Sequence, residues 1–191
     1  MKRAVVVGAW LVPLALPAGC GRASLPGAAE RIDAGEARSF GRPTVFARGE
    51  GDRLIMRGTR PLFITADPAT VGSRTLTAGY EDVPPGDSVR VHKHLGEDEI
   101  LFIHRGAVEV TLGESTRPAA AGATVFVPRG TWIGMRVVGP DTASFFFVFN
   151  TPAFEKCLRM LSARPGEPYR PPAADVAART SHECHMVLKS G

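Results

Sequence analysis

No part of this sequence carries enough charge of one sign to suggest a polyanionic partner. The 191 residues hold 23 Lys and Arg against 19 Asp and Glu. Two of the basic residues, Lys2 and Arg3, belong to a signal-like N-terminus; without them the balance is 21 against 19, a net +2. No basic stripe is interleaved with aromatics, so nucleic acid is not an expected partner. The apolar run from Ala4 to Ala18 is broken by Pro13 and Pro17 and falls short of the ~20 residues a membrane-spanning helix needs. Repeats of solenoid type are missing, and helical periodicity is absent between residues 43 and 150. What remains is an ordinary globular composition, 44% hydrophobic and 22% charged, on a chain long enough for one sizeable core.

The N-terminus reads as an address. Met1-Lys2-Arg3, a short apolar core and small residues after it describe an export signal over residues 1–20. Leu16-Pro17-Ala18-Gly19-Cys20 resembles a bacterial lipobox, with Pro17 where Leu or Val is usual. That resemblance implies lipidation at Cys20, attachment to the cell envelope through the lipid, and a mature chain that starts there; ordinary cleavage near Ala23 is the alternative, giving a secreted protein. Residues 21–42 have few large apolar groups and no period, as expected of a flexible tether.

From residue 43 to 150 the pattern is short apolar runs between turns. The runs at 44–47, 54–56, 62–65, 73–78, 88–94, 99–104, 108–112, 124–127, 132–138 and 143–149 read as about ten strands. Pro84-Pro85-Gly86-Asp87 is a strong turn between two of them. Regular spacing without intervening helices predicts an all-β antiparallel sandwich or barrel. After Asn150 the period changes. Phe154, Cys157, Leu158 and Leu161 fall on one helical face, with Thr151 as N-cap and Arg164-Pro165-Gly166 as terminator. A Pro-rich connector and a short helix over 173–179 would complete a tail of residues 151–191.

The chemistry is concentrated between Gly86 and Gly106. His92 and His94 are two apart, so on a strand they share a face while Lys93 takes the other, and Glu99 follows five residues later. Two imidazoles and one carboxylate are the ligand set of a facial triad holding a non-haem metal with open positions. The pattern Gly86-x5-His92-x-His94-x4-Glu99-x6-Gly106, followed by Gly122-x5-Pro128-x-Gly130, resembles the two motifs of the cupin superfamily. The helix and Pro-rich tail are similar to those of small quercetin-dioxygenase-like cupins. The resemblance implies a double-stranded β-helix, or jelly-roll barrel, with the site inside. It also implies a divalent transition metal (Fe, Mn, Ni or Zn), a dioxygenase-type oxidoreductase or an isomerase, and pairing of barrels into a homodimer. One departure stands out. The family's fourth ligand, a His three residues after Gly130, is Ile133 here. Ile133, Met135 and Val137 then give that wall an apolar inner face.

Two function classes follow. In one, His92, His94 and Glu99 hold a metal that acts on a small organic substrate. In the other, the metal site has degenerated and the barrel binds a small molecule without chemistry. His104, five residues after Glu99, has the parity of the outer wall. Glu97 shares the parity of Glu99 but falls in the turn 95–98, where a solvated side chain is expected, with an acid supporting the metal ligands as the alternative; Asp98 is placed to bond nearby backbone. With Cys20 lipidated, Cys157 and Cys184 are left with a single pairing, a disulfide outside the cytoplasm; the alternative is Cys157 as a small core residue on the apolar helix face with Phe154 and Leu161. The His182-Glu183-Cys184-His185 stretch lacks a second ligand pair and reads as ordinary tail.

Overall fold

The computed structural model describes residues 41–170 and 175–189. The signal-like segment, Cys20 and nearly all of the 21–42 tether lie outside them. Twelve strands and two helices follow in chain order among the described residues: β1 (Asp52–Met56), β2 (Arg60–Ala66), β3 (Thr77–Val83), β4 (Ser88–His94), β5 (Glu99–Arg105), β6 (Ala107–Leu112), β7 (Ser115–Ala120), β8 (Thr124–Val127), β9 (Ile133–Val137), β10 (Ala143–Phe149), α1 (Glu155–Met160), β11 (Ser162–Ala163), α2 (Val176–Cys184) and β12 (Met186–Leu188). One sheet has the order β11-β1-β2-β3-β10-β5-β8 and the other β12-β4-β9-β6-β7. Every pairing is antiparallel. The two sheets make a jelly roll, a double-stranded β-helix, with the core between them.

Alternation decides which side chains enter that core. On β5, Glu99, Leu101 and Ile103 are buried while Ile100, Phe102 and His104 are exposed. On β10, Phe145, Phe147 and Phe149 point inward, and on β9 so do Ile133, Met135 and Val137. The Phe147 ring crosses the face of β3 where there is no Cβ: one added at Gly79 would lie 2.8 Å from Phe147 Cζ and closer still to Phe63 O. Gly106 reverses the chain between β5 and β6 at φ 75°, where a Cβ would meet Thr142 O at 2.8 Å.

Several local expectations change. Residues 44–47 form no strand: Val45 is 94% exposed, and the segment is tied instead through the Arg42 N–H to Val71 O at 2.7 Å. The run 73–78 contributes only its end, because Ser73 turns the chain by accepting the Leu76 N–H. β7 was not legible because it is polar and contains Pro118; it is an edge strand, where a missing N–H is tolerated. The first tail helix is capped by Phe154, not Thr151, whose hydroxyl accepts from the Ala153 N–H. The last helix runs later than 173–179 and takes in His182, Glu183 and Cys184.

The tail is woven into both sheets. β11 pairs with β1, and β12 adds an edge to β4 with Met186 opposite His94 and Leu188 opposite His92. Cys157 of α1 and Cys184 of α2 are joined by a disulfide, their Cα atoms 5.7 Å apart. Arg159 of α1 ties the tail to the first sheet through Asp52 and Asp67 (2.6 Å), and pairs with Glu155 of its own helix at 2.7 Å. Burial of the Asp67 carboxyl acts to raise its pKa, but bonds from the Thr70 N–H and hydroxyl and from Arg159 outweigh it, so the net shift is downward.

Two outcomes follow. The Cys157→Ser/Cys184→Ser variant should lose about 3.5 kcal/mol of stability, the loop-closure value for a separation of 27 residues, read from the guanidinium midpoint. Arg159→Met should cost about 2–3 kcal/mol by taking the guanidinium from the buried Asp67 carboxylate, which keeps only its bonds from Thr70. Because the Asp67 pKa is lowered in the fold, its contribution is present above the ordinary value of 3.8. It disappears as pH falls through the lower folded-state value. Asp67→Asn should therefore flatten the acid limb of the urea-midpoint profile.

Candidate metal centre and cavity

His94 sits at the end of β4, 1% exposed. Its backbone is fixed on two sides: the carbonyl accepts from the Gly130 N–H at 2.6 Å, and the next N–H, of Leu95, donates to His185 O at 2.7 Å. Phe149 and Phe154 wall the ring, with centroids at 5.0 and 4.6 Å. Its Nδ1 faces Glu97 Oε1 at 3.2 Å. Glu97 is therefore not the solvated turn residue its position suggests. It is 3% exposed, because the short β4–β5 connection folds it back under the strand it has just left. On the other side, His94 Nε2 lies 3.4 Å from Glu99 Oε2. Among the described residues neither atom has a hydrogen-bond partner, although both are buried.

His92 is half-buried and borders a cavity. Its ring stands edge-on to His94, centroids 4.8 Å apart and planes at 89°. Its Nδ1 is 2.7 Å from Arg90 O. A carbonyl can only accept, so Nδ1 carries the hydrogen and the lone pair of the neutral ring is on Nε2. The two imidazoles are thus oriented alike: each has an acceptor at Nδ1, which leaves Nε2 for another role. That arrangement, with an acceptor fixing the far nitrogen, is the usual support of a metal-bound histidine.

The electrostatics agree with this division. For His94, burial disfavours the charged ring, but the Glu97 and Glu99 carboxylates outweigh it and raise its pKa to about 9. For His92, burial and the neighbouring His94 charge lower the pKa to about 4. The space between His94 and Glu99 therefore calls for positive charge, a proton or a metal ion. A proton would balance the charge but leaves the 3.4 Å contact without hydrogen-bond geometry. A cation held by His94 and Glu99 would satisfy both. His92, His94 and Glu99 suit a borderline divalent metal by donor type. Among the described residues, no three His, Cys, Asp or Glu side chains are already drawn together around one point; the close pair is His94 and Glu99.

His92, Glu99 and Ile133 border a cavity of about 330 Å³. Ile133 pairs with His92 across β4 and β9 and is 1% exposed. It stands beside the first histidine with its side chain toward the interior. Phe145, Phe147, Phe149 and Leu101 form much of the remaining wall, and Met186 and Leu188 of β12 complete it. Inside the same cavity is a pair that the sequence did not single out, Arg60 and Glu81, 3% and 6% exposed, with Arg60 Nε 2.9 Å from Glu81 Oε1. Parity could have found Glu81, since it faces inward beside Phe145.

The other singled-out residues lie elsewhere. His104 is on the outer wall, 2.9 Å from Arg48. Asp98 accepts the Arg129 backbone N–H and pairs with its guanidinium at 3.0 Å, which holds its pKa well below the carboxylate range. In the tail stretch, Glu183 pairs with Arg179 at 2.9 Å and Cys184 is in the disulfide.

Residues 79–149 match the family model of the cupin domain. The Protein SchB of Streptomyces halstedii is 28% identical over 80 residues, which cover 42% of this chain and 58% of that protein. The chain thus matches somewhat over half the length of this curated relative. Among solved structures, KdgF from Halomonas sp. overlays with a TM-score of 0.50 at 22% identity, covering 57% of this chain and 94% of that one. The oxalate decarboxylase of Lactobacillus farciminis, solved as a formate complex, gives 0.45 at 21% identity over 49% of this chain and 29% of its own. The KdgF overlay speaks for the fold. Together with the family match and the jelly-roll topology, it supports the cupin superfamily for this domain.

Proposed function

We propose that this protein is a metal-binding cupin, with His92, His94 and Glu99 holding one divalent transition ion (Fe, Mn, Ni or Zn) inside the barrel. The carrying observation is the buried, unpartnered facing of His94 Nε2 and Glu99 Oε2. Glu97 acts as a positioning residue: it accepts from His94 Nδ1 and keeps Nε2 turned to the site. A three-ligand ion of this kind supplies Lewis-acid or redox chemistry to an oxygen-bearing substrate. The chain's own contribution is to orient the imidazoles, to exclude water with Phe149, Phe154 and Ile133, and to offer the cavity as substrate space. The reaction class favoured is a dioxygenase-type oxidation of a small organic molecule. A second reading, capture of a small molecule without chemistry, is favoured by one observation: where the cupin pattern has a fourth histidine, Ile133 presents an apolar wall.

Export is part of the same proposal. A disulfide is retained in oxidising compartments, in keeping with a signal over residues 1–20 and a lipid-anchored Cys20. We also propose a homodimer through the outer face of the larger sheet. Ile100 and Phe126 are adjacent on β5 and β8, Phe102 and Phe146 on β5 and β10, and all four are exposed. A contiguous apolar patch of this kind marks a contact surface.

Elemental analysis of the protein as isolated should find close to one transition metal per chain, and Glu99→Ala or His92→Ala should remove it. Metal retained by both variants would overturn the assignment. Glu97→Gln should keep the metal but weaken it by about 10–100-fold in chelator competition. Ile133→His should tighten it by restoring an imidazole beside His92. In sedimentation velocity the wild type should run at twice the chain mass, and Phe102→Lys/Phe126→Lys at the monomer mass.

A further inference from the structure

The cavity that borders His92 and Glu99 has a second polar region on its wall. Arg60, at the start of β2, is among the most buried charged residues of the described chain. Its Nη1 donates to Ser88 O at 2.6 Å and its Nε faces Glu81 at 2.9 Å. The bond to Ser88 engages Nη1, and Nε has no hydrogen-bond partner among the described residues. The contact to Glu81 is close but lacks hydrogen-bond geometry, so Arg60 Nε and Glu81 Oε1 are both unsatisfied. A metal at the histidines would not satisfy them, because they belong to a different pair.

Charge around the cavity points the same way. Arg57, Arg60 and Arg90 border it, against Glu81 and Glu99. Asp87 stands 3.8 Å from both Arg57 and Arg60 but does not border the cavity. The lining is therefore formally +1. Burial raises the Glu81 pKa to about 7, with Asp87, Asp82 and Glu99 adding to the rise against Arg60; near neutrality this acid is therefore only partly charged and offsets less of that excess. Most of the remaining wall is apolar: Leu101, Met135, Phe145, Phe147 and Leu158. The volume, about 330 Å³, is at the small end of ligand pockets.

We propose that this cavity takes a small organic carboxylate with an apolar body, its carboxylate received by Arg60 and its body lying against Phe145, Phe147 and Leu101, with the far end toward His92 and Glu99. A guanidinium offers a carboxylate planar paired donors. The proposal deepens the metal-binding reading by giving that site a substrate class, and it rests on that reading only for what happens at the far end.

The test is calorimetric titration at pH 8 with 3-phenylpropionate and its uncharged counterpart 3-phenylpropanol, on metal-loaded and chelator-stripped protein. The acid should bind about ten-fold more tightly than the alcohol, the worth of a charge-assisted hydrogen bond. Arg60→Met/Glu81→Gln, which replaces the pair by neutral groups of similar volume, should abolish the preference while leaving the melting temperature near wild type. Glu81→Gln alone keeps Arg60 and removes its competitor, so it should tighten the acid several-fold and leave the alcohol unchanged; this variant decides the matter if the double one does not fold. Equal binding of the two compounds by wild type, no binding of the acid, or a preference that survives in the folded double variant would overturn the proposal. The two readings separate cleanly. Stripped protein that keeps the preference sustains the carboxylate site whatever the metal analysis shows. Metal-loaded protein without the preference sustains the metal and removes the carboxylate.

Discussion

A histidine ring enclosed between two carboxylates, out of reach of solvent, is the arrangement that everything else in this domain accommodates. His94 is walled by two phenylalanines and faces Glu97 on one edge and Glu99 on the other. Isolated charges in such a place are costly, so a cation must accompany the acids. The surrounding fold limits how that requirement can be met. Backbone bonds from Gly130 and to His185 hold the strand end in place, and Glu97 occupies the nitrogen that would otherwise offer an alternative orientation. The ring cannot turn away from Glu99 without breaking one of these.

The same alternation that places His94 inside also places the aromatic wall. Glu99 pairs with Phe149 across β5 and β10, and Glu81 pairs with Phe145 farther along β10. One strand of phenylalanines thus runs between two carboxylates that belong to different polar clusters. The arrangement gives the interior two polar ends and an apolar middle, a shape suited to molecules with the same division of character.

How much of this was legible in the sequence depended on whether the determinant was local. Strand parity is a local property, so His92 and His94 on one face, the inward set Ile133, Met135 and Val137, and the outward His104 could all be read directly. The strongly apolar strands β5, β8 and β10 could be read for the same reason. Glu97 could not, because its burial depends on how tightly the β4–β5 connection closes, which its own neighbours do not reveal. Arg60 and Glu81 were invisible as a pair because they come together only when β2 and β3 are laid side by side. The strand β7, polar and interrupted by Pro118, offers no apolar period, and β12 is recognisable only through its partner β4. The run 44–47 misled for the opposite reason: it has strand-forming residues but no strand available beside it.

β12 also bears on the order of assembly. Its partner β4 is made roughly a hundred residues earlier, and contacts of such long sequence separation form late. Met186 and Leu188, opposite the two histidines, form one rim of the chamber, so the chamber is complete only when β12 lies beside β4.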